Sequence, residues 1–208
     1  MIKSQKTSEM VKMALFIALI ILLSVTPLGY IPLGAINATT IQMPVIIGAV
    51  LFGWKKGAVL GGVFGLTSLI KNTLQPNLTS FVFSPFVPVF GEESGSFWAI
   101  IISLVPRIMI GVIDALAFAL LTKLKLNKTV SSAVAGFCGS LANTVLVMGG
   151  IYFFFGESYS AAKDIAYNTL MATVSATITG AGITEAIVSA VVCGAVCTAL
   201  IKYSERKR

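Results

Sequence analysis

Apolar residues are concentrated in six runs along the chain, and each run ends at charged residues or at proline and glycine. The runs cover Val11–Leu28, Ile36–Trp54, Gly57–Ile70, Phe97–Leu121, Val130–Phe155 and Ala181–Tyr203. A hydrocarbon core about 30 Å thick is crossed by roughly 20 helical residues, and by fewer where loops or local thinning help. The pattern predicts an all-α integral membrane protein, a six-transmembrane-helix bundle that forms one domain over residues 1–208.

The second and third runs are short, and only Lys55 and Lys56 separate them. We interpret them as a helical hairpin, in which both basic residues lie at the turn. The alternative merges the two runs into one kinked span, which would leave five helices.

Basic residues alternate between the two ends of the predicted helices. Twelve of the 15 fall on one side when the N-terminus is cytoplasmic, namely Lys3, Lys6, Lys12, Lys55, Lys56, Lys123, Lys125, Lys128, Lys202, Arg206, Lys207 and Arg208. Basic loops face the cytoplasm in membrane proteins. The distribution therefore predicts cytoplasmic N- and C-termini, and it favours six spans because five would break the alternation.

Composition supports a membrane protein and argues against a soluble domain and against a nucleic-acid-binding protein. Hydrophobic residues make up 56% of the chain and charged residues 11%, whereas soluble domains carry about a quarter charged residues. The net charge of +7 is scattered at membrane edges, which argues against a nucleic-acid site.

The first run lacks a small-residue cleavage motif after Thr26-Pro27, so we expect a retained helix rather than a signal peptide.

Two long segments, residues 71–96 and 156–180, are predicted to be outer loops. Long loops in compact proteins are usually functional or disordered. The first contains the apolar stretch Phe81–Pro88, which we expect to fold back as a cap. In the second, Ala161–Thr177 could form an amphipathic helix on the outer surface.

Three charged residues fall inside predicted spans, where charge is costly and needs a reason. Arg107 lies mid-span after Pro106, Asp114 follows on the same helical face, and Glu185 begins the sixth run. They could form an ion-pair network that holds helices together. The functional alternative is a site for an anionic or polar ligand, in which the Arg107 guanidinium would donate two parallel hydrogen bonds to the ligand.

Polar residues gather at the outer helix ends and could complete such a pocket, with aromatic walls. The polar members are Asn37, Thr39, Thr40, Gln42, Lys71, Asn72, Thr73, Ser84, Asn143 and Thr144, and the aromatic members are Phe81, Phe83 and Phe86. Singly, each polar residue is more often a cap or an interhelical hydrogen bond.

Small residues at four-residue spacing let helices approach closely. Ala14 and Ala18 do so on the first helix, and Gly61, Gly62 and Gly65 lie together on the third. Packing within the bundle is the simplest interpretation of these groups. Cys138, Cys193 and Cys197 are apolar in context and lack metal-site spacing, so we expect them to pack rather than to form a disulfide or a metal site.

Missing motifs exclude several activities. The chain has no P-loop sequence and no histidine, so neither ATP hydrolysis through a P-loop nor serine–histidine proteolysis is available to it. We predict that the chain is not an enzyme and holds no metal.

Four stretches together resemble a known family: Ile31–Gly48, Gly57–Ser68, Ser80–Phe86 and Pro106-Arg107. They are similar to the substrate-binding S components of energy-coupling factor (ECF) vitamin transporters of prokaryotes. The resemblance covers most of the chain, including its length and its six predicted spans.

The resemblance implies a mechanism and a location. An S component in a prokaryotic cell membrane binds a vitamin or precursor from outside and docks on a membrane coupling subunit, which two ATPase subunits drive. ATP would be used by those partners, and this chain would carry no cofactor. Family members meet the coupling subunit through an A-x-x-x-A pattern, which Ala14 and Ala18 match.

Among S components the sequence looks most like those for pantothenate, so Arg107 would bind the carboxylate. The residues expected to form the site are Asn37, Thr39, Lys71, Asn72, Phe83, Ser84, Arg107 and Asn143. Folate and cobalamin or queuosine precursors are alternative substrates. A membrane scaffold without a small-molecule site and an autonomous secondary transporter are alternatives of other classes, although no inverted repeat supports the latter.

Overall fold

The computed structural model describes residues 2–33 and 36–206, with side chains for residues 7–29 and 39–203. Within these residues the chain forms seven α-helices and one two-stranded antiparallel hairpin. In order they are α1 (Ile2–Val25), β1 (Tyr30–Leu33), β2 (Ile36–Thr39), α2 (Gln42–Phe52), α3 (Trp54–Leu74), α4 (Trp98–Lys123), α5 (Lys128–Ala162), α6 (Leu170–Thr177) and α7 (Ile183–Arg206).

Four stretches of the described chain are long and apolar enough to cross a membrane. They are Thr7–Val25, Trp98–Lys123, Lys128–Ala162 and Tyr167–Tyr203. This confirms the prediction of a helical, multi-pass membrane protein. The apolar helix α2 has only 11 residues, which span about 16 Å at 1.5 Å per residue, so it covers only part of the membrane thickness.

A sharp turn separates α2 from α3. Gly53 joins them with φ of +85°, a left-handed conformation that only glycine adopts without strain. The two helices then pack against each other, since a Cβ added to Gly57 would lie 2.7 Å from Ala49 Cβ. The structure therefore confirms the helical hairpin and not the single kinked span. At this end Lys56 Nζ lies 2.5 Å from Glu9 Oε2 of α1.

Helices α3 and α4 meet along a glycine seam. The seam consists of Gly57, Gly61 and Gly65 on α3, which face Gly111, Arg107 and Ser103 on α4. A Cβ added to Gly61 would lie 2.1 Å from the carbonyl oxygen of Arg107, and Ser103 Oγ donates a hydrogen bond to the Gly65 carbonyl at 3.1 Å. Backbone therefore packs directly on backbone, which fixes the height of α4 relative to α3. Gly62, grouped with the others by spacing, meets α4 only loosely, since a Cβ added there would lie 3.9 Å from Ile108 Cγ1.

Buried apolar side chains form two clusters. The inner core lies towards the α2–α3 turn and includes Ile20, Val45, Ile46, Leu60, Ile110, Cys193 and Cys197. The outer cluster lies under the loop between α3 and α4 and includes Phe81, Val82, Val147, Ile151, Phe155 and Leu170. All three cysteines are free thiols, and no group of three metal-ligating side chains occurs in the described part of the chain.

Two segments differ from the sequence-based expectation. Residues 36–39, assigned to the second span, form strand β2, because the chain turns back on β1 before α2 begins. Residues 156–180, expected to be an outer loop, are largely helical: α5 continues past a kink at Phe155, and α6 precedes a π-helical turn at Ile178–Gly182. Helix α6 is shorter than the predicted amphipathic helix, and it buries Leu170 and Val174 on one face.

Candidate functional site

Arg107 is held in a defined conformation at the middle of α4. Pro106 has no N–H, so the carbonyl of Ile102 lacks its usual helical partner. Arg107 Nη1 donates a hydrogen bond to that oxygen at 2.7 Å. The guanidinium carbon lies 5.0 Å from the ring centre of Phe83 and 5.7 Å from that of Phe64, within cation–π range. With only 8% of its surface exposed, Arg107 places a fixed positive charge inside the bundle.

Asp114 lies on the same helix but contacts a different neighbour. Its side chain is fully buried against α5, where a Cβ added to Gly139 would lie 2.3 Å from Asp114 Oδ1. Its carboxyl group thus faces the backbone of Gly139, and it forms no ion pair among the described residues. The two charged residues of α4 are therefore directed to separate surroundings and do not form the ion pair considered from the sequence.

A second polar group joins α2, α5 and α7. Gln42, the first residue of α2, is 1% exposed. Its Nε2 donates hydrogen bonds to Ser140 Oγ at 3.1 Å and to Ser189 Oγ at 3.2 Å. Asn143 lies about one turn further along α5, and its Oδ1 is buried. Gln42 was among the polar residues noted in the sequence but was not assigned to the site, because its type and spacing do not reveal this contact.

Arg107 and Asn143 occupy the same layer of the bundle. Two contacts fix the antiparallel register of α4 and α5, one between Asp114 and Gly139 and the other between Ile102 and Gly150. Arg107 and Asn143 each lie between these contacts on their own helices. The positive charge and the amide therefore lie within one helical turn of each other in depth, with Asn143 the nearer of the two to the inner core.

The β1–β2 hairpin is anchored at the N-terminal end of α7. The backbone N–H of Thr39 donates a hydrogen bond to Glu185 Oε1 at 2.8 Å, and Thr40 Oγ1 donates one to the Leu28 carbonyl. Asn37 belongs to β2, and its side chain lies outside the described residues. Glu185, considered from the sequence as part of an ion-pair network, instead holds the hairpin.

Asn72 and Ser84, both expected in the site, attach the loop between α3 and α4. Asn72 Oδ1 accepts a hydrogen bond from Ser80 Oγ at 2.8 Å, and Ser84 Oγ lies 2.7 Å from Thr73 Oγ1. These bonds hold the loop so that Phe83 meets Arg107. Of the expected aromatic walls, Phe81 is buried against Phe155, with ring centres 5.7 Å apart, and Phe86 is 75% exposed.

Lys71 lies in a different place from Arg107. It lines a cleft of about 630 Å³ between the C-terminal ends of α1 and α3, together with Ser24, Thr26, Thr67 and Gln75. The structure therefore groups Phe83 with Arg107 and places Asn143 about one turn along α5 from Ser140, the partner of Gln42, while Lys71 belongs to this separate cleft.

We expect Glu185→Ala to weaken ligand binding by about tenfold, mainly through faster dissociation, because a hydrogen bond to a charged group contributes about 1.5–3 kcal/mol. Hydrogen exchange at the Thr39 amide should rise at the same time. Stopped-flow binding and exchange mass spectrometry would measure both effects. Thr184→Val, which alters the exposed neighbouring position, is the control. Unchanged exchange at Thr39 in Glu185→Ala would show that this anchor does not hold the hairpin.

Fold and site together define a multi-pass membrane protein with a buried, positively charged site in a helical bundle. This is the architecture of a membrane component that binds a polar solute, and the chain has none of the catalytic motifs sought in its sequence. The family model of the ECF transporter, substrate-specific component, matches residues 8–197. The chain belongs to that family, which is one of transport components rather than enzymes.

Two curated relatives agree with this assignment. The pantothenic acid transporter PanT of Lactococcus lactis subsp. cremoris is 34% identical over 177 residues, which cover 84% of this chain and 88% of the relative. The pantothenate transporter PanT of Leuconostoc mesenteroides subsp. mesenteroides is 33% identical over 153 residues, covering 70% of this chain and 67% of the relative. The family resemblance deduced from the sequence is thereby confirmed.

Proposed function

We propose that this chain captures pantothenate from outside the cell as the S component of an ATP-driven ECF importer. The observation that carries the proposal is the Arg107 guanidinium, fixed between Phe64 and Phe83 inside the bundle. A planar guanidinium presents a fork of N–H donors that matches a carboxylate. The names of the two PanT relatives support pantothenate as the acid.

The remaining groups of pantothenate are an amide and two hydroxyls, which need polar partners near Arg107. We assign this role to Asn143 and Thr39, and Phe83 provides an aromatic surface beside the guanidinium. Asn72 and Ser84 contribute by holding the loop that carries Phe83. Asn37 joins the proposed site from the hairpin, whereas Lys71, in the separate α1–α3 cleft, is not included in it.

The proposal includes six spans with cytoplasmic termini. Four stretches are long enough to cross alone, and we assign the other two crossings to α2 with the hairpin above it and to α3. Lys55 and Lys56 at the α2–α3 turn, and Lys123 and Lys125 at the α4–α5 turn, would then face the cytoplasm. The ion pair between Lys56 and Glu9 supports this arrangement, because it joins the α2–α3 turn to the N-terminal part of α1.

We further propose that α1 docks on the membrane coupling subunit of the transporter. Ala14 and Ala18 are both exposed on α1, so this small-residue pair is not used for packing among the described side chains. Two ATPase subunits bound to the coupling subunit would supply the energy, and this chain would need no cofactor of its own.

Ala14→Trp and Ala18→Trp are each expected to abolish uptake by the assembled transporter while changing pantothenate affinity less than about twofold. An indole on this face would prevent the close helix approach that small residues allow. Uptake into proteoliposomes with the complete complex, and titration of the isolated chain, would measure the two effects. Val191→Trp places the same side chain at a 67% exposed position of α7 and should leave both unchanged. Loss of ligand binding in the α1 variants would indicate internal packing instead.

The proposed function is tested by titrating the purified chain with a panel of pantothenate, folate, cobalamin and queuosine precursors. We expect sub-micromolar binding of pantothenate and much weaker binding of the others. Tight binding of another member would reassign the substrate within the family. Absence of binding by every member would contradict the capture of a vitamin by this chain.

A further inference from the structure

Two buried amide oxygens in the bundle interior have no hydrogen-bond partner among the described residues. They are Oε1 of Gln42 and Oδ1 of Asn143. Native proteins pair the great majority of buried polar atoms, because leaving an acceptor unpaired is unfavourable. Two such atoms on neighbouring helices therefore call for a ligand or water that donates hydrogen bonds.

The Gln42 amide is fixed, so its free oxygen has a defined position. Nε2 is held by the hydroxyls of Ser140 and Ser189, and both serines are fully buried. The amide is planar, and Oε1 must therefore lie on the side away from Nε2. With 1% of the residue exposed, Gln42 cannot turn this oxygen to bulk solvent.

The two oxygens belong to one neighbourhood. Ser140, which binds Gln42, and Asn143 are three residues apart on α5, and residues at this spacing lie on the same helix face. The α4–α5 register places Asn143 close to the level of Ile110, within one helical turn of Arg107. An elongated ligand whose carboxylate meets the guanidinium would thus extend its other end towards both oxygens.

We propose that Gln42 and Asn143 form an acceptor subsite that binds the hydroxyl groups of the ligand. This inference rests on the proposed function and deepens it, since it assigns the end of the molecule opposite the carboxylate. The subsite selects acids that carry hydroxyl donors at a distance from the carboxylate. It rejects otherwise similar acids whose hydroxyls are replaced by hydrogen, because these leave both oxygens unpaired.

The test compares pantothenate with N-(3,3-dimethylbutanoyl)-β-alanine, in which hydrogen replaces both hydroxyls. Isothermal titration of the wild-type chain should show at least 100-fold tighter binding of pantothenate. In Gln42→Met the affinity for pantothenate should fall by about tenfold or more, while the affinity for the deoxy analogue changes less than about threefold. Asn143→Leu should behave similarly. Gln75→Met makes the same chemical change at an exposed position and should bind both ligands like the wild type.

Each outcome has a separate meaning. Equal affinity of the wild-type chain for the two ligands would overturn the subsite while leaving pantothenate capture intact. Equal losses for both ligands in Gln42→Met would also overturn it, since they would show a structural role for Gln42. If Gln42→Met does not fold, the wild-type comparison and Asn143→Leu decide the question. Failure of the wild-type chain to bind pantothenate would instead contradict the proposed function.

Discussion

Replacing Arg107 with lysine is expected to weaken pantothenate binding by about 100-fold, and Arg107→Ala should abolish measurable binding. Lysine keeps the charge, but it has neither the plane that packs against Phe64 and Phe83 nor the fork that pairs with a carboxylate. Removing one partner of a buried, hydrogen-bonded charge pair costs about 2–5 kcal/mol, and about 1.4 kcal/mol corresponds to a tenfold change in affinity.

Titration calorimetry would measure this loss, and thermal unfolding would show that the variants remain folded. Lys163→Gln removes an exposed cation near the end of α5 and should leave the affinity unchanged. If the Arg107→Ala variant bound pantothenate as tightly as the wild type, the role of the guanidinium would be refuted. If the chain were a membrane scaffold, the wild type would bind no ligand, and Arg107→Ala would only lower its stability.

Gly61→Ala is expected to destabilise the bundle by about 3 kcal/mol, at the upper end of the usual cost of overpacking. The added methyl group would lie 2.1 Å from the carbonyl oxygen of Arg107. That oxygen belongs to backbone, which cannot rotate away as a side chain can. Helices α3 and α4 must therefore move apart, and the displacement of Arg107 should weaken ligand binding as well.

Gly62→Ala provides the matched comparison, since the same methyl group there would lie 3.9 Å from its nearest neighbour, Ile108 Cγ1. Alanine is favoured over glycine within helices by about 1 kcal/mol, so this variant should be as stable as the wild type or slightly more stable. Thermal unfolding in detergent would compare the two. A similar melting temperature for both variants would contradict direct backbone packing along the glycine seam.

The hydrophobic pattern predicted the four long apolar helices, because lipid exposure requires long apolar runs. It did not predict the β1–β2 hairpin, since Ile36–Thr39 is apolar enough to extend the following helix on hydropathy alone. The β-branched residues around Gly34 were the available signal for strands. Residues 156–180 were misjudged for the opposite reason: their serines and threonines suggested a loop, whereas Leu170 and Val174 supply the buried face of a helix.

The buried setting of Arg107 could be predicted in part. Arg107 stood out because a charge within a span needs a reason, and Pro106 indicated that a carbonyl one turn back would be free. The roles of Asn72, Ser84 and Gln42 depend on partners distant in the sequence or across a loop. Residue type shows that such a side chain can form hydrogen bonds, but only the tertiary structure shows with which group.

The inner core has a consequence for the route of the solute. Fully buried aliphatic side chains such as Val45, Leu60 and Ile110 fill the interior between the polar site and the α2–α3 turn. An anion crossing this region would lose its hydration without meeting a positive charge before the α2–α3 turn, since the buried polar groups there are the Asp114 carboxyl group and serine hydroxyls, and the cost would be far above thermal energy. The bundle interior is thus closed on the side of the α2–α3 turn and does not form a pore through the membrane. Delivery to the opposite side of the membrane therefore requires the whole bundle to reorient in the membrane or its helices to separate.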